Sequence, residues 1–385
     1  MKIPDKEVRM KNSRVLLLYP PNQTLPGTMC KPNGSLAYPN LAGALRDHGT
    51  QVAIYDACVG NESDDLQSVF YASTQLPSGL FRTGVSDERI LKEVKGADVV
   101  GLTSIFTAQE TMVLHTIDLI KRAFPEKWII AGGVNARNRL PQFFNAGADV
   151  VFLSESERVI IAFMEAICEK KPNLSLISGI AYRTPDGFTI NKTKPTDFYW
   201  NLDELPMPAW DLLPLVRYWA IGRPHGGHFK PDQELRYASL TTTEGCLFQC
   251  SFCHRSGEIL DSISGPIGRF RRKSPERVLR EINVLKRLGV LQVYLEDDML
   301  FGMKKRAMEL MRAIQGEGLF ISDVNGLNVI HMVNKQGQPD EELLNLLCET
   351  GFNEIVLAFE SADPAILRQY ANNKWDPVHH NITAL

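Results

Sequence analysis

The sequence predicts an α/β protein in two parts, and three observations predict it. Over the first 170 residues, short apolar runs alternate with amphipathic stretches, the pattern of a doubly wound open sheet. Residues 171–233 break that rhythm with a hairpin signal and a proline-rich run. From residue 234 the alternation resumes and continues to residue 385.

In the first part, residues 15–19, 52–55, 99–102, 128–131 and 150–153 are short continuous apolar runs, as expected of parallel strands buried on both faces. Between them, residues 36–47, 86–94, 109–124, 140–146 and 157–169 carry helical periodicity. Ligands of such sheets sit beyond the carboxyl ends of the strands. The corresponding loops here follow Tyr19, Asp56, Leu102, Gly132 and Leu153.

In residues 171–233, two strand-like runs flank Thr184-Pro185-Asp186-Gly187, a hairpin turn. Pro195, Pro206, Pro208 and Pro214 follow, then His225-Gly226-Gly227-His228. Trp200, Trp210, Leu212 and Trp219 make this segment too apolar for a free tether, so it is expected to pack against a folded surface.

In the second part, strands are expected over 237–242, 293–297, 324–330 and 355–359. Ser274-Pro275-Glu276 is an N-cap with proline in the first helical position, and Gly289 is placed to stop that helix. Further helices are expected over 304–314, 340–350 and after Pro364.

Composition narrows the function. The formal net charge of −3 gives no reason to expect nucleic acid or anionic lipid as a partner. No run approaches the roughly 20 apolar residues of a membrane span, and 15–18 is too short for a signal-peptide core. The expectation is a cytoplasmic protein. Seven cysteines, three of them within eight residues, do not make a secreted disulfide framework.

Those three are Cys246, Cys250 and Cys253, spaced C-x3-C-x2-C where a strand ends. Three thiolates can hold three irons of a [4Fe–4S] cube and leave the fourth open for chemistry. Structural zinc, with His254 or a remote residue as fourth ligand, is the alternative, although no second cysteine pair stands nearby.

With its aromatic Phe252 before the last cysteine, this motif resembles the signature of the radical S-adenosylmethionine (SAM) superfamily. Leu295-Glu296-Asp297-Asp298 resembles that family's acidic motif, Asn325-Gly326-Leu327 its asparagine-glycine pattern, and Glu360-Ser361 its fourth-strand motif. The resemblance implies a partial radical SAM (β/α) barrel over 234–385, with Cys246, Cys250 and Cys253 on the cluster. It also implies that Phe252, Glu296, Asp297, Asn325, Glu360 and Ser361 lie around SAM. Four strands are expected where the family barrel has six, so the open edge is expected to drive association or poor solubility. Asn373-Lys374-Trp375-Asp376-Pro377 resembles the link after the fourth strand.

Residues 1–170 resemble the Rossmann-like (flavodoxin-like) cobalamin-binding domain that precedes many such barrels. The matching segments are 14–21, 38–46, 99–104 and 131–136. The resemblance implies cobalamin contacts from Thr103, Ser104, Gly132, Gly133, Val134, Asn135, Ser154 and Glu155. No Asp-x-His-x-x-Gly motif is present, so no histidine ligand of that kind is expected. Ser154-Glu155-Ser156-Glu157 stands where relatives often have Gly-Glu-Gly-Glu.

The implied activity is reductive cleavage of SAM at a [4Fe–4S] cluster, with cobalamin-dependent methyl transfer to an unactivated carbon of a small molecule. A flavodoxin- or ferredoxin-type protein is the implied electron donor. A non-methylating cyclase or rearrangement enzyme shares the same motifs. A methylthiotransferase is a further alternative, with a second cluster on Cys30, Cys58 and Cys168.

Overall fold

The apolar runs of the first part form one sheet in a computed structural model that describes residues 13–28, 30–32, 34–224, 235–255, 262–371, 374–375 and 380. The described chain divides into two units. The first comprises most of residues 13–224 with 263–265, and the second comprises 199–204 and the remainder from 235 onward.

In the first unit, β1 (Arg14–Tyr19), β2 (Gln51–Asp56), β3 (Val99–Thr103), β4 (Trp128–Gly132) and β5 (Val150–Phe152) are parallel neighbours in the order β2-β1-β3-β4-β5. All five residues of β3 are buried, as its unbroken apolar run requires. Helices α1 (Ala37–Asp47), α2 (Asp87–Val94), α3 (Glu110–Ala123), α4 (Leu140–Ala146) and α5 (Val159–Ile167) connect these strands. Ser86 caps α2 by accepting from the Arg89 amide, and Gly147, at φ +116°, closes α4. The hairpin β6 (Ile180–Thr184) and β7 (Gly187–Asn191) adds antiparallel strands beside β5.

Residues 205–224 fold onto this unit. Trp210 is fully buried, and the Tyr218 hydroxyl donates to Asp56 Oδ2 at 2.8 Å. A Cβ on Gly43 of α1 would lie 2.3 Å from the Met207 carbonyl oxygen, so only glycine admits the segment here. A small sheet of Asn22–Thr24, Thr74–Gln75 and Phe81–Thr83 was not expected, because strands of two or three residues show no readable period.

The second unit holds four parallel strands in sequential order: β8 (Tyr237–Leu240), β9 (Gln292–Leu295), β10 (Phe320–Asp323) and β11 (Phe352–Glu354). Helices α6 (Pro275–Arg287), α7 (Lys304–Ile314) and α8 (Glu341–Thr350) connect them, and α9 (Pro364–Tyr370) follows β11. The Ser274 hydroxyl accepts from the Arg277 amide and caps α6.

Two expectations are corrected. The strand expected over 324–330 lies earlier, at Phe320–Asp323. Asp323 Oδ2 accepts the Gly326 amide and turns the chain, and Val329–Met332 then coils as a helical turn. The strand expected over 355–359 is replaced by Phe352–Glu354 and a single bridge between Leu327 and Leu357. A register shift at Ile321/Ser322 interrupts the ladder. Residues 225–228, 373, 376 and 377, singled out in the sequence, lie outside the described residues.

Among the described residues no helix is long and apolar enough to cross a membrane.

Candidate functional site

The cysteine loop leaves β8 through Thr242 and Thr243, and buried charge fixes its start. Asp297, just past β9, accepts at Oδ1 from the Thr242 amide, the Thr242 hydroxyl and the Thr243 hydroxyl, at 3.0, 2.9 and 2.6 Å. Arg306 of α7 donates to the Thr242 hydroxyl and carbonyl at 3.1 and 3.2 Å. Asp297 is 1% exposed, and burial raises its pKa.

Gly245 then turns the chain at φ +76°. A Cβ there would lie 2.4 Å from the Arg269 carbonyl oxygen. Its amide donates to Asp298 Oδ2, which also pairs with Arg255 at 3.0 Å. The Cys246 amide donates to the Gly268 carbonyl at 3.1 Å, and the Leu247 amide approaches Met299 Sδ at 3.3 Å. Cys250 is buried in a small apolar cluster with Val329, Leu367, Ala371 and Trp375, against which Phe248 and Cys253 pack.

Burial raises the Cys246 and Cys250 thiols, and each feels charge from Cys253 and Lys374. Three thiols thus share one electrostatic neighbourhood. Among the described residues no three His, Cys, Asp or Glu side chains converge on a single ion position. A cube binds each thiolate at a different iron, so such convergence is not what it needs.

The other residues expected around SAM fall in separate places. Glu296 Oε1 accepts from the Ser239 hydroxyl at 2.5 Å, and burial pushes its carboxyl up to about 6. Asn325 Nδ2 donates to the Glu296 carbonyl at 2.8 Å, joining the ends of β9 and β10. Gly326 lets Ala358 approach, since a Cβ there would lie 2.8 Å from the Ala358 Cβ. Glu360 takes an ion pair from Lys374 and adds charge at Cys250. Ser361 Oγ accepts the Asp363 amide, and Phe252 is 60% exposed.

Sequence reasoning missed Asp298, Met299 and Lys374. The acidic triplet already contained Asp298, but only the fold shows that its third carboxylate, and not its second, holds the Gly245 amide.

In the first unit a cavity of about 230 Å³ opens at the carboxyl ends of the strands, near the switch between β1 and β3. Leu17, Leu102, Ile130 and Phe152 make it apolar, and Thr103, Gly132, Gly133, Ser154 and Glu155 also line it. Two features leave this cavity with a spare polar group and free space. Among the described residues the buried Ser154 hydroxyl has no hydrogen-bond partner, and a Cβ on Gly132 would meet open space.

Ser104, Val134 and Asn135 do not line this cavity. Asn135 Nδ2 donates to Ser104 Oγ at 2.9 Å, and the Asn135 amide donates to the Ser104 carbonyl, so this pair ties the two loops together. Ser156 donates to the Ser154 carbonyl at 2.7 Å, folding the serine-rich loop on itself. His48 sits beside Glu165, outside the lining.

The remaining cysteines divide. Cys30 and Cys58 lie 3.6 Å apart, sulfur to sulfur, and Asn22 Nδ2 lies 3.6 Å from each. Cys168 is elsewhere, at the end of α5 with its sulfur 3.8 Å from Ser13 Oγ. The fold does not gather Cys30, Cys58 and Cys168, which removes the basis for a second cluster and for the methylthiotransferase alternative.

Residues 240–385 match the Radical SAM superfamily. The chain is 28% identical to the cytidylyl-2-hydroxyethylphosphonate methyltransferase of Streptomyces wedmorensis, over 92% of this chain and 66% of that protein. It is 27% identical to the uncharacterized methyltransferase PH0819 of Pyrococcus horikoshii, over 93% of this chain and 68% of that one. Among solved structures, the radical SAM methyltransferase TsrM of Kitasatospora setae, with cobalamin and a [4Fe-4S] cluster bound, superposes with a TM-score of 0.65. It is 16% identical over 95% of this chain and 64% of its own. The cobalamin-dependent radical enzyme OxsB superposes with a TM-score of 0.69 at 17% identity, over 97% of this chain and 47% of its own. The chain therefore spans about two thirds or less of the relatives described, and the structural likenesses establish the fold.

Proposed function

We propose, from the match of residues 240–385 to the Radical SAM superfamily, that the chain is the cofactor-binding part of a cobalamin-dependent radical SAM methyltransferase acting on a small molecule. We read its first unit as a flavodoxin-like Rossmann domain and its second as a partial (β/α) barrel. The domain boundaries proposed are 1–170, 171–233 and 234–385, with the hairpin and residues 205–224 of the middle segment packed on the first. The observation that carries the reading is the anchored loop of Cys246, Cys250 and Cys253, whose backbone is held by Asp298, Gly268 and Met299.

A [4Fe–4S] cluster held there would supply one electron to SAM, and a corrinoid in the first unit would supply a transferable methyl group. The protein's part is to hold, orient and keep dry. Cys246, Cys250 and Cys253 would ligate three irons, and the apolar cluster under Cys250 would exclude water from that side. Glu296 and Asn325 at the ends of β9 and β10, with Glu360 near Cys250, are assigned to the polar groups of SAM. Asp297 holds the loop from within, so its contribution to SAM binding is indirect. Thr103, Gly132, Gly133, Ser154 and Glu155 are assigned to the corrinoid, whose tail suits the apolar cavity. Ser104 and Asn135 shape the loops around it.

The test is anaerobic reconstitution with iron, sulfide and a corrinoid, followed by SAM and dithionite. Formation of 5′-deoxyadenosine supports the radical reading, and S-adenosylhomocysteine supports methyl transfer. A loaded cluster that yields neither product overturns it.

A further inference from the structure

The basic run Arg269–Lys273 is not used by the site described above. Its Arg271–Arg272 portion pairs antiparallel with Thr243–Glu244, the stretch leading into the cysteine loop. The two backbones touch directly. The Cys246 amide donates to the Gly268 carbonyl, and Gly245 lies so close to the Arg269 carbonyl that no side chain fits between. A charge arriving at this ribbon is therefore one hydrogen bond from a cluster ligand.

The ribbon borders an open cavity of about 800 Å³ whose lining includes Arg272, Lys273, Lys305 and Arg306 against Asp203 and Glu309. The buried cations there are already engaged. Arg271 donates to the Tyr199 carbonyl, Lys273 pairs with the buried Glu281 at 2.7 Å, and Arg306 donates to Thr242. The cations left over are on the outside. Arg269, Arg272 and Lys305 are exposed and, among the described residues, form no ion pair. Arg269 lies over the Trp200 ring, at 5.9 Å. A small anion would need inward-pointing donors, whereas this arrangement presents solvent-facing positive charge around an exposed indole.

We infer that Arg269, Arg272 and Lys305, with Trp200, form the docking surface for an acidic electron-carrier protein, which delivers one electron to the cluster through the Gly268–Cys246 contact. The carrier is oxidised by one electron and the cluster is reduced by one. This inference rests on the proposed function, because only a cluster in that loop needs such a donor. Complementary charge on the carrier accelerates encounter and makes association salt-dependent.

The experiment compares the reconstituted wild-type chain with the R269E/R272E/K305E variant, using a purified acidic flavodoxin. Surface plasmon resonance measures binding at low and high salt, and stopped-flow absorbance measures cluster reduction by the reduced flavodoxin and by dithionite. The expected result is at least about a tenfold loss of flavodoxin affinity and reduction rate, with a flattened salt dependence. Dithionite reduction and iron content should stay within about twofold of wild type by the same reasoning, since neither requires protein docking. A neutralising R269Q/R272Q/K305Q variant should fall between the two. Unchanged flavodoxin binding in the charge-reversed chain overturns the inference while leaving the proposed function standing. Tight binding of inorganic phosphate or a nucleotide that is lost in the variant, without flavodoxin binding in the wild type, also overturns it. Failure of dithionite to reduce the wild-type chain removes the proposed function itself and this inference with it.

Discussion

Lys374 Nζ donates to Glu360 Oε1 at 2.5 Å, and Glu360 is the one non-glycine residue among those described with a positive φ, +58°. A left-handed conformation costs an L-residue roughly 1–2 kcal/mol. The chain bears that cost where a carboxylate also influences the charge at Cys250. Glu360→Gln keeps the backbone and a hydrogen-bond acceptor but removes the charge. Glu360→Gly relieves the backbone and removes both.

The expected outcome is that both variants bind SAM about tenfold or more weakly, a loss of roughly 1.4 kcal/mol or more. The glycine variant should melt above the glutamine variant. Equilibrium binding of SAM to the reconstituted chains and thermal melts provide the check. Full SAM affinity in Glu360→Gln would remove Glu360 from the ligand site.

Gly245 offers a sharper steric test. Alanine there must adopt φ +76° with its Cβ 2.4 Å from the Arg269 carbonyl oxygen. The conformational and overpacking costs together come to about 2–5 kcal/mol. The cysteine loop should yield before the sheet does. Gly245→Ala is expected to take up less than half the wild-type iron (roughly, on that energy scale) while retaining far-UV circular dichroism. Normal iron content would show that the loop has another route past Arg269.

Much of this was legible in the sequence. The buried parallel strands announce themselves as unbroken apolar runs, and 99–102 extends by only one residue to become β3. Cys246, Cys250 and Cys253 are readable because short-range spacing alone defines them. What escaped was set by contacts distant in the chain. Val324, Leu327, Val329 and Ile330 suggest a strand over 324–330, yet the Asp323–Gly326 turn and the Ala358 contact redirect the chain. Asp297 and Asp298 are adjacent acids, and no local pattern shows that one turns inward to Thr242 while the other reaches Gly245. The resemblance of 99–104 and 131–136 to ligand loops assigns Ser104 and Asn135 to the corrinoid, but their side chains bind each other instead.

Asp323 makes stability depend on pH in a direction opposite to that of an ion-paired carboxylate. Burial and the neighbouring Asp297 push its carboxyl up to about 8, and among the described residues its Oδ1 has no hydrogen-bond partner. The folded chain therefore holds this proton more tightly than the unfolded chain, whose aspartates titrate near 3.9. The contribution of this group is most favourable below the unfolded value and is lost as pH rises towards 8. Asp323→Asn keeps an acceptor for the Gly326 amide and cannot ionise. Its melting temperature is expected to exceed that of wild type above neutrality, on the order of 2 kcal/mol in stability, with the gap closing towards pH 4. Parallel melting curves across that range would expose an environment that does not favour the protonated acid.

The cavity of the first unit can be closed without disturbing the fold. Gly133 is no place to try, because its Cβ would strike the Ser104 carbonyl at 2.4 Å and its φ is +97°. Gly132 is different. It lines the same cavity, its φ is not positive, and a Cβ there meets nothing within 4 Å. A leucine side chain at that position would enter apolar space between Leu102, Ile130 and Phe152. The added apolar contact should leave the melting temperature within the change of about 0.5 kcal/mol typical of unstrained substitutions. Corrinoid binding, read from its visible absorbance after gel filtration, is expected to fall at least about tenfold, because the leucine occupies volume the ligand needs. Iron content should not change, since the cysteine loop belongs to the other unit. Undiminished corrinoid retention in Gly132→Leu would mean that the ligand seats elsewhere, and the assignments of Thr103, Gly133, Ser154 and Glu155 would fall with it.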